Sequence, residues 1–125
     1  MFNGSCYYFH YNCNWNKDWV TAQSMCKTYG SELVKITSQG ENDFIKGKIG
    51  NSGFWIGLND RATENSFKWS VDNSTIGDNG NYSSWAVGQP DNNYGQDCVV
   101  IYSDGKWDDD ECYSDHCYIC EKPAS

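Results

Sequence analysis

Positive charge is scarce in this chain. Its 125 residues carry 9 Lys and Arg against 17 Asp and Glu, a formal net charge of −8 with a pI of about 4.4. No block of basic residues offsets this, so a nucleic-acid backbone finds no counter-charge and is excluded as a partner. Long apolar runs are missing as well. None approaches the roughly 20 residues of a membrane span, so direct insertion into a bilayer is not expected, and no leader with a charged start and an apolar middle is present. Met1 before Phe2-Asn3-Gly4 is read as the start of a trimmed, mature domain. Histidine is limited to His10 and His116, which stand isolated, and no nucleophile–base pair is visible, so an enzyme is not expected. Zinc is disfavoured too, because Cys117-Tyr118-Ile119-Cys120 has no second C-x-x-C pair and neither His lies at finger spacing.

Cysteine, by contrast, is abundant. Seven in so short a chain read as a disulfide framework from an oxidising compartment, and N-x-S/T sequons at Asn3, Asn73 and Asn81 fit the same extracellular setting. The length fits one domain over residues 1–125 with a modest core, and no internal repeat is visible. Residues 6–11 are aromatic and predict a strand. Trp19, Ala22, Met25 and Cys26 fall on one helical face, with Asp18 or Asn16 as cap and Gly30 as stop. A short strand is expected over 31–36. Ser38, with Glu41 three residues later, makes a capping box ahead of Phe44, Ile45 and Ile49, predicting a second helix to about Gly50. The continuous apolar run 54–58 predicts a buried strand. Short strands over 67–69, 98–102, from Trp107 and over 118–121 complete an α+β fold.

Residues 72–93 are almost wholly Asn, Asp, Ser and Gly, with only Ile76, Tyr82, Trp85, Ala86 and Val87 to hold them. A stretch this long without secondary structure needs another source of order. Gln89, Asp91, Asn92, Gln96 and Asp97 ahead of Cys98, then Asp108 and Asp109 behind Trp107, gather side-chain oxygens into two short runs. A hard cation such as calcium takes about 6–8 oxygen ligands. Pro90 contributes a bond that can be cis at small cost and would turn its neighbours to one side. Such residues also dominate plain surface turns, so composition alone leaves both readings open.

Taken in order, Cys6-Tyr7-Tyr8-Phe9, Trp19 with Ala22 and Cys26, Glu41-Asn42-Asp43-Phe44, Trp55-Ile56-Gly57-Leu58, Phe67-Lys68-Trp69, Gln89-Pro90-Asp91, Cys98, Trp107-Asp108-Asp109, Cys112 and Cys120-Glu121-Lys122 resemble a C-type lectin-like domain from end to end. The resemblance implies a double-looped α+β fold: two helices, short antiparallel sheets, paired terminal strands and a long calcium-ordered loop. It also implies disulfides Cys26–Cys120 and Cys98–Cys112. If the terminal strands are antiparallel, Cys6 lies near Glu121 and Cys13 near Cys117, and an extra bridge Cys13–Cys117 is expected. Cys6 then remains as a free thiol or as a link between chains of an oligomer. Each native bridge is worth about 2–4 kcal/mol.

Sugar-binding members of that family hold a principal calcium through the residues flanking the proline, a residue two before the Cys and the pair after the Trp. These positions are Gln89, Asp91, Gln96, Asp108 and Asp109, and two vicinal sugar hydroxyls would complete the shell. An auxiliary calcium would map onto Asp60, Glu64, Asn92, Gln96 and Asp97, weakened where Asn92 replaces an acid. Gln-Pro-Asp in place of Glu-Pro-Asn is the family's galactose-type signature. Gln96 and Asp108 exchange the usual acid and amide, which moves hydrogen-bond donors at the other hydroxyl and keeps three carboxylates on the ion. Tyr94 is the candidate ring for the apolar face of the sugar. The resemblance therefore implies a secreted or ectodomain lectin for terminal galactose or N-acetylgalactosamine. Mannose or fucose specificity is one alternative, and a protein-binding domain using calcium only to order its loops is another. Ice binding, known in some relatives, has no independent support. A glycosidase pair among Asp108, Asp109, Asp110 and Glu111 is set aside because adjacent carboxylates cannot easily flank a glycosidic bond, and Asp110 and Glu111 are expected to be solvated.

Overall fold

The structure is a computed structural model, which describes residues 5–10, 18–49, 53–61, 67–71, 84–85 and 97–123. In chain order the elements are β1 (Ser5–His10), α1 (Trp19–Thr28), β2 (Glu32–Leu33), α2 (Gln39–Lys46), β3 (Phe54–Asn59), β4 (Lys68–Trp69), β5 (Cys98–Ile101), β6 (Trp107–Asp110) and β7 (Cys117–Pro123). Asp18 caps α1 by accepting the Thr21 N–H at 2.8 Å, and the helix stops two residues before Gly30. Ser38 caps α2 by accepting the Glu41 N–H at 3.1 Å. Only this half of the predicted capping box forms. Glu41 instead turns its side chain to the Thr37 N–H at 2.9 Å and the Tyr7 hydroxyl at 2.6 Å. The helix also ends earlier than expected, at Lys46 with Gly47 as cap, although Ile49 remains buried in the turn beyond it.

The strands form one sheet in the order β1-β7-β3-β5-β6, with β2 paired to β7 and β4 to β3. The terminal strands run antiparallel, Ser5 opposite Pro123 and His10 opposite Tyr118. β7 lies between β1 on one edge and β2 then β3 on the other. The sheet is mixed, contrary to the all-antiparallel expectation, because β3 meets β7 in parallel at Phe54–Cys117 and Trp55–Tyr118. β2 is shorter than the predicted 31–36. At Val34 the chain crosses from β7 to β3: its N–H donates to the Ile119 carbonyl at 3.1 Å, and its carbonyl accepts the Gly57 N–H at 2.8 Å. A Cβ at Gly57 would lie 2.9 Å from the Leu33 carbonyl oxygen, so glycine is what lets this crossing approach β3.

Both faces of the sheet are covered, which is why β3 and β5 read as unbroken apolar runs. Phe54, Ile56, Leu58, Val99 and Ile101 join Ile45 of α2 in one buried cluster. Trp55, Cys98, Val100 and Cys120 join Trp19, Ala22 and Cys26 of α1 in another. Disulfides Cys26–Cys120 and Cys98–Cys112 tie α1 and the segment after β6 to the sheet, with Cα atoms 5.4 and 5.1 Å apart. Cys117 is also disulfide-bonded; its expected partner, Cys13, lies outside the described residues. Cys6 is free and half-buried on β1.

Candidate functional site

The acids after Trp107 owe their placement to that indole. Trp107 is fully buried, with its ring edge-on to Trp69 and to Trp85 at centroid separations of 5.6 and 5.9 Å. Its backbone N–H donates to the Ser84 carbonyl at 2.7 Å, and residues 85 and 107 form a parallel bridge. The long polar stretch is therefore moored at 84–85 against β6, the last strand in the sheet order. Trp85 adds a ring contact to Phe67 at 5.1 Å.

Pleating then separates the two acids. Asp109 pairs across with Val99 and is 3 % exposed, whereas Asp108 pairs with Val100 and is half-buried. Asp108 is in register with Val100, a member of the cluster against which Tyr102 packs, and burial followed by the charges of Asp108 and Asp110 pushes the Tyr102 phenol above its usual value. Since successive side chains leave opposite faces, one ion reaches both carboxylates only from the strand's outer edge. That is the edge on which 84–85 docks.

A second acidic pair lies where β3 ends and β5 begins. The Asp60 N–H donates to the Asp97 carbonyl at 2.9 Å, one step beyond the Asn59–Cys98 pairing. Asp60 is 2 % exposed. Oδ1 of Asp97 is buried and accepts no hydrogen bond among the described residues. A buried carboxylate oxygen without a donor is costly unless a cation meets it, so Asp97 is an oxygen donor of the kind that a hard divalent ion takes.

Of the predicted ligands, the structure pairs Asp60 with Asp97 and sets Asp108 beside Asp109. Gln89, Asp91, Asn92, Tyr94, Gln96 and Glu64 lie outside the described residues. Among the described residues no three His, Cys, Asp or Glu side chains gather as a metal cluster. Two expectations need correction. His116 is not isolated and Asp110 is not simply solvated: His116 Nε2 lies 2.7 Å from Asp110 Oδ2, and the imidazole packs edge-on to Trp55 at 4.7 Å. The turn that closes at Cys112 brings them together across six residues.

The opposite end of the sheet carries acids of a different kind. Tyr7, Glu41 and Glu121 line a cavity of about 290 Å³ with Glu32 and Lys122 at its sides. Burial holds Glu121 above the ordinary carboxylate range, while hydrogen bonds from Ser5, the Lys35 N–H at 3.1 Å and Tyr7 pull the other way. Tyr7 is raised in turn, by burial and by its bond to Glu41.

Comparison with known proteins places this geometry. The family model for the lectin C-type domain matches residues 15–122. Human asialoglycoprotein receptor 2 is 38% identical over 125 residues, covering 95% of this chain, and the chain spans 38% of that receptor's length. The carbohydrate-recognition domain of mouse scavenger receptor C-type lectin superposes with a TM-score of 0.89 at 34% identity, covering 100% of this chain and 95% of that one. The cow CD23 carbohydrate-recognition domain, solved in the presence of a GlcNAc2Man3 oligosaccharide, gives 0.88 at 36% identity over 99% of this chain and 92% of that one. With its paired terminal strands, its two helices and its tryptophan-led acidic strand, the chain belongs to the C-type lectin domain family.

Proposed function

We propose that this single domain is an extracellular, calcium-dependent lectin whose preferred ligands carry terminal galactose or a related sugar. The observation that carries the reading is the edge strand β6, where Asp108 and Asp109 leave opposite faces beside the docked 84–85 segment. The family is one of binding domains, and the chain is not an enzyme. One relative is named for asialoglycoproteins and one neighbour was solved with an oligosaccharide, which supports a carbohydrate ligand.

Gln89, Asp91, Gln96, Asp108 and Asp109 would hold the principal calcium, and Asp60, Glu64, Asn92, Gln96 and Asp97 an auxiliary one. Bound there, the ion supplies coordination for two vicinal hydroxyls of a neutral sugar. The chain's own part is hydrogen bonding: the amides of Gln89 and Gln96 donate to the hydroxyls, and the carboxylates of Asp91 and Asp108 accept from them. Tyr94 offers its ring to the apolar sugar face, a contact worth about 1 kcal/mol. Cys6, free on the edge strand β1, is the thiol through which chains would be joined.

Retention on a galactose matrix in calcium, and its loss on chelation, tests the reading. Binding that persists in chelator points to a protein partner instead. A mannose-type site is the second reading, favoured by the Gln96/Asp108 exchange and by the mannose-containing oligosaccharide of the CD23 neighbour. Competition between free galactose and free mannose decides between them. The double change Gln96→Glu with Asp108→Asn sharpens galactose preference if the donor pattern sets it.

A further inference from the structure

We propose that Asn42, on α2 and remote in sequence from every candidate ligand, is a positioning residue for the calcium site, acting through Trp107. This rests on the reading that Asp108 and Asp109 hold the ion. Asn42 sits one turn past the helix cap, its N–H bonded to the Ser38 carbonyl at 3.0 Å, and is 2 % exposed. Both ends of its amide are used on the β5–β6 hairpin. Nδ2 donates to the Gly105 carbonyl at 2.8 Å, and Oδ1 accepts the Trp107 indole N–H at 3.0 Å.

The Gly105 carbonyl is a junction. Its oxygen also accepts the Ser84 hydroxyl at 2.9 Å, so α2, the hairpin turn and the mooring point of the polar stretch meet on one atom. Gly105 has φ +79°, and a Cβ there would come 2.9 Å from Lys46 Cδ and 3.1 Å from Asn42 Nδ2, so helix and turn are in contact. Trp107 is thereby held twice, by its indole from Asn42 and by its backbone N–H from Ser84. The next two residues are Asp108 and Asp109. Only a short amide supplies donor and acceptor together at this spot. An aspartate keeps the acceptor and loses the donor, and an aliphatic residue leaves two buried groups unpaired. Residues that orient metal ligands from behind typically change affinity by about 10–100-fold when lost.

The test is calcium titration of the folded proteins below their melting transitions, by calorimetry, with the indole N–H resonance of Trp107 followed by NMR. Asn42→Asp is expected to weaken calcium binding about 10-fold and to shift that resonance. Ser84→Ala should act in the same direction and less. Ile45→Val, on the same helix and equally buried, should lower the melting temperature and leave calcium affinity unchanged. Should Asn42→Asp fail to fold, the Ser84→Ala and Ile45→Val pair makes the same comparison. Wild-type affinity in Asn42→Asp, or an equal loss in Ile45→Val, would overturn the positioning role while leaving the calcium site standing. No uptake by the wild type, or uptake untouched by Asp109→Asn, would instead remove the site itself, and this role with it.

Discussion

The two ends of the sheet treat buried acid in opposite ways. At the β1–β7 end, Glu41 and Glu121 are met by the chain's own donors: the Thr37 and Lys35 N–H groups and the Tyr7 hydroxyl. At the β5–β6 end, Asp97 buries an oxygen that receives no hydrogen bond among the described residues, and Asp108 and Asp109 splay around an edge. The first arrangement is complete as folded. The second leaves Asp97 Oδ1 to an ion under the calcium reading proposed above, so the contrast separates acids that serve the scaffold from those proposed to serve a ligand.

The contrast breaks most sharply at Asp109. Asp109→Asn should abolish calcium-dependent sugar retention, a loss larger than the roughly 10–100-fold expected for a supporting residue; a sugar column and calorimetry read it. Chelation comes next. A site saturated to about 100 times its dissociation constant adds roughly 2.7 kcal/mol, so removing calcium should lower the melting temperature by on the order of 10 °C. Amide exchange should quicken near 84–85 and 97–110 and stay unchanged in the β1–β7 ladder.

A mirrored pair of substitutions sharpens the comparison. Tyr7→Phe strips a donor from the buried Glu41 carboxylate and should cost about 1–3 kcal/mol with calcium affinity unaltered. Asp97→Asn should weaken calcium binding and change the stability of the metal-free protein by less than about 1 kcal/mol, since Oδ1 has no hydrogen bond among the described residues to lose. Chemical denaturation with and without chelator separates the two.

The smallest effect is expected at Glu121. Its folded-state pKa is raised above the ordinary 4.5, so the stability linked to its proton is fully present below that value and is lost as pH climbs through the raised one. Glu121→Gln carries no such proton. In chelator, its melting temperature relative to wild type should rise from pH 4 to pH 7; a constant difference would mean that burial does not perturb Glu121.

Local rules made part of this architecture legible. Asp18 and Ser38 announce their helices because capping is decided within three residues. The apolar runs of β3 and β5 announce burial on both faces. The end of α2 was not legible, since nothing in Gly47-Lys48-Ile49 distinguishes a helical turn from the looser one that buries Ile49. Nor was the β3–β7 parallel contact, which depends on which edge of β7 is left after β1 and β2 have paired. At the site, Asp108 and Asp109 stand out beside Trp107, whereas Asp60 and Asp97 meet only because β3 ends where the distant β5 begins. Asn42 belongs to a stretch that carries the resemblance, but its contacts were not legible. Its partners lie 63 and 65 residues away, and a single amide in a helix carries no periodic signal.

The bond from Cys26 to Cys120 also decides how the domain bears tension. Pulled apart at Ser5 and Pro123, the terminal ladder opens from its end, one rung at a time. After the rungs at Lys122 and Glu121 the strain arrives at Cys120 and crosses directly to Cys26, short-circuiting a sequence separation of 94. Every candidate ligand lies inside that bypassed stretch, so tension between the two ends frays the terminal strands and leaves the candidate site unloaded.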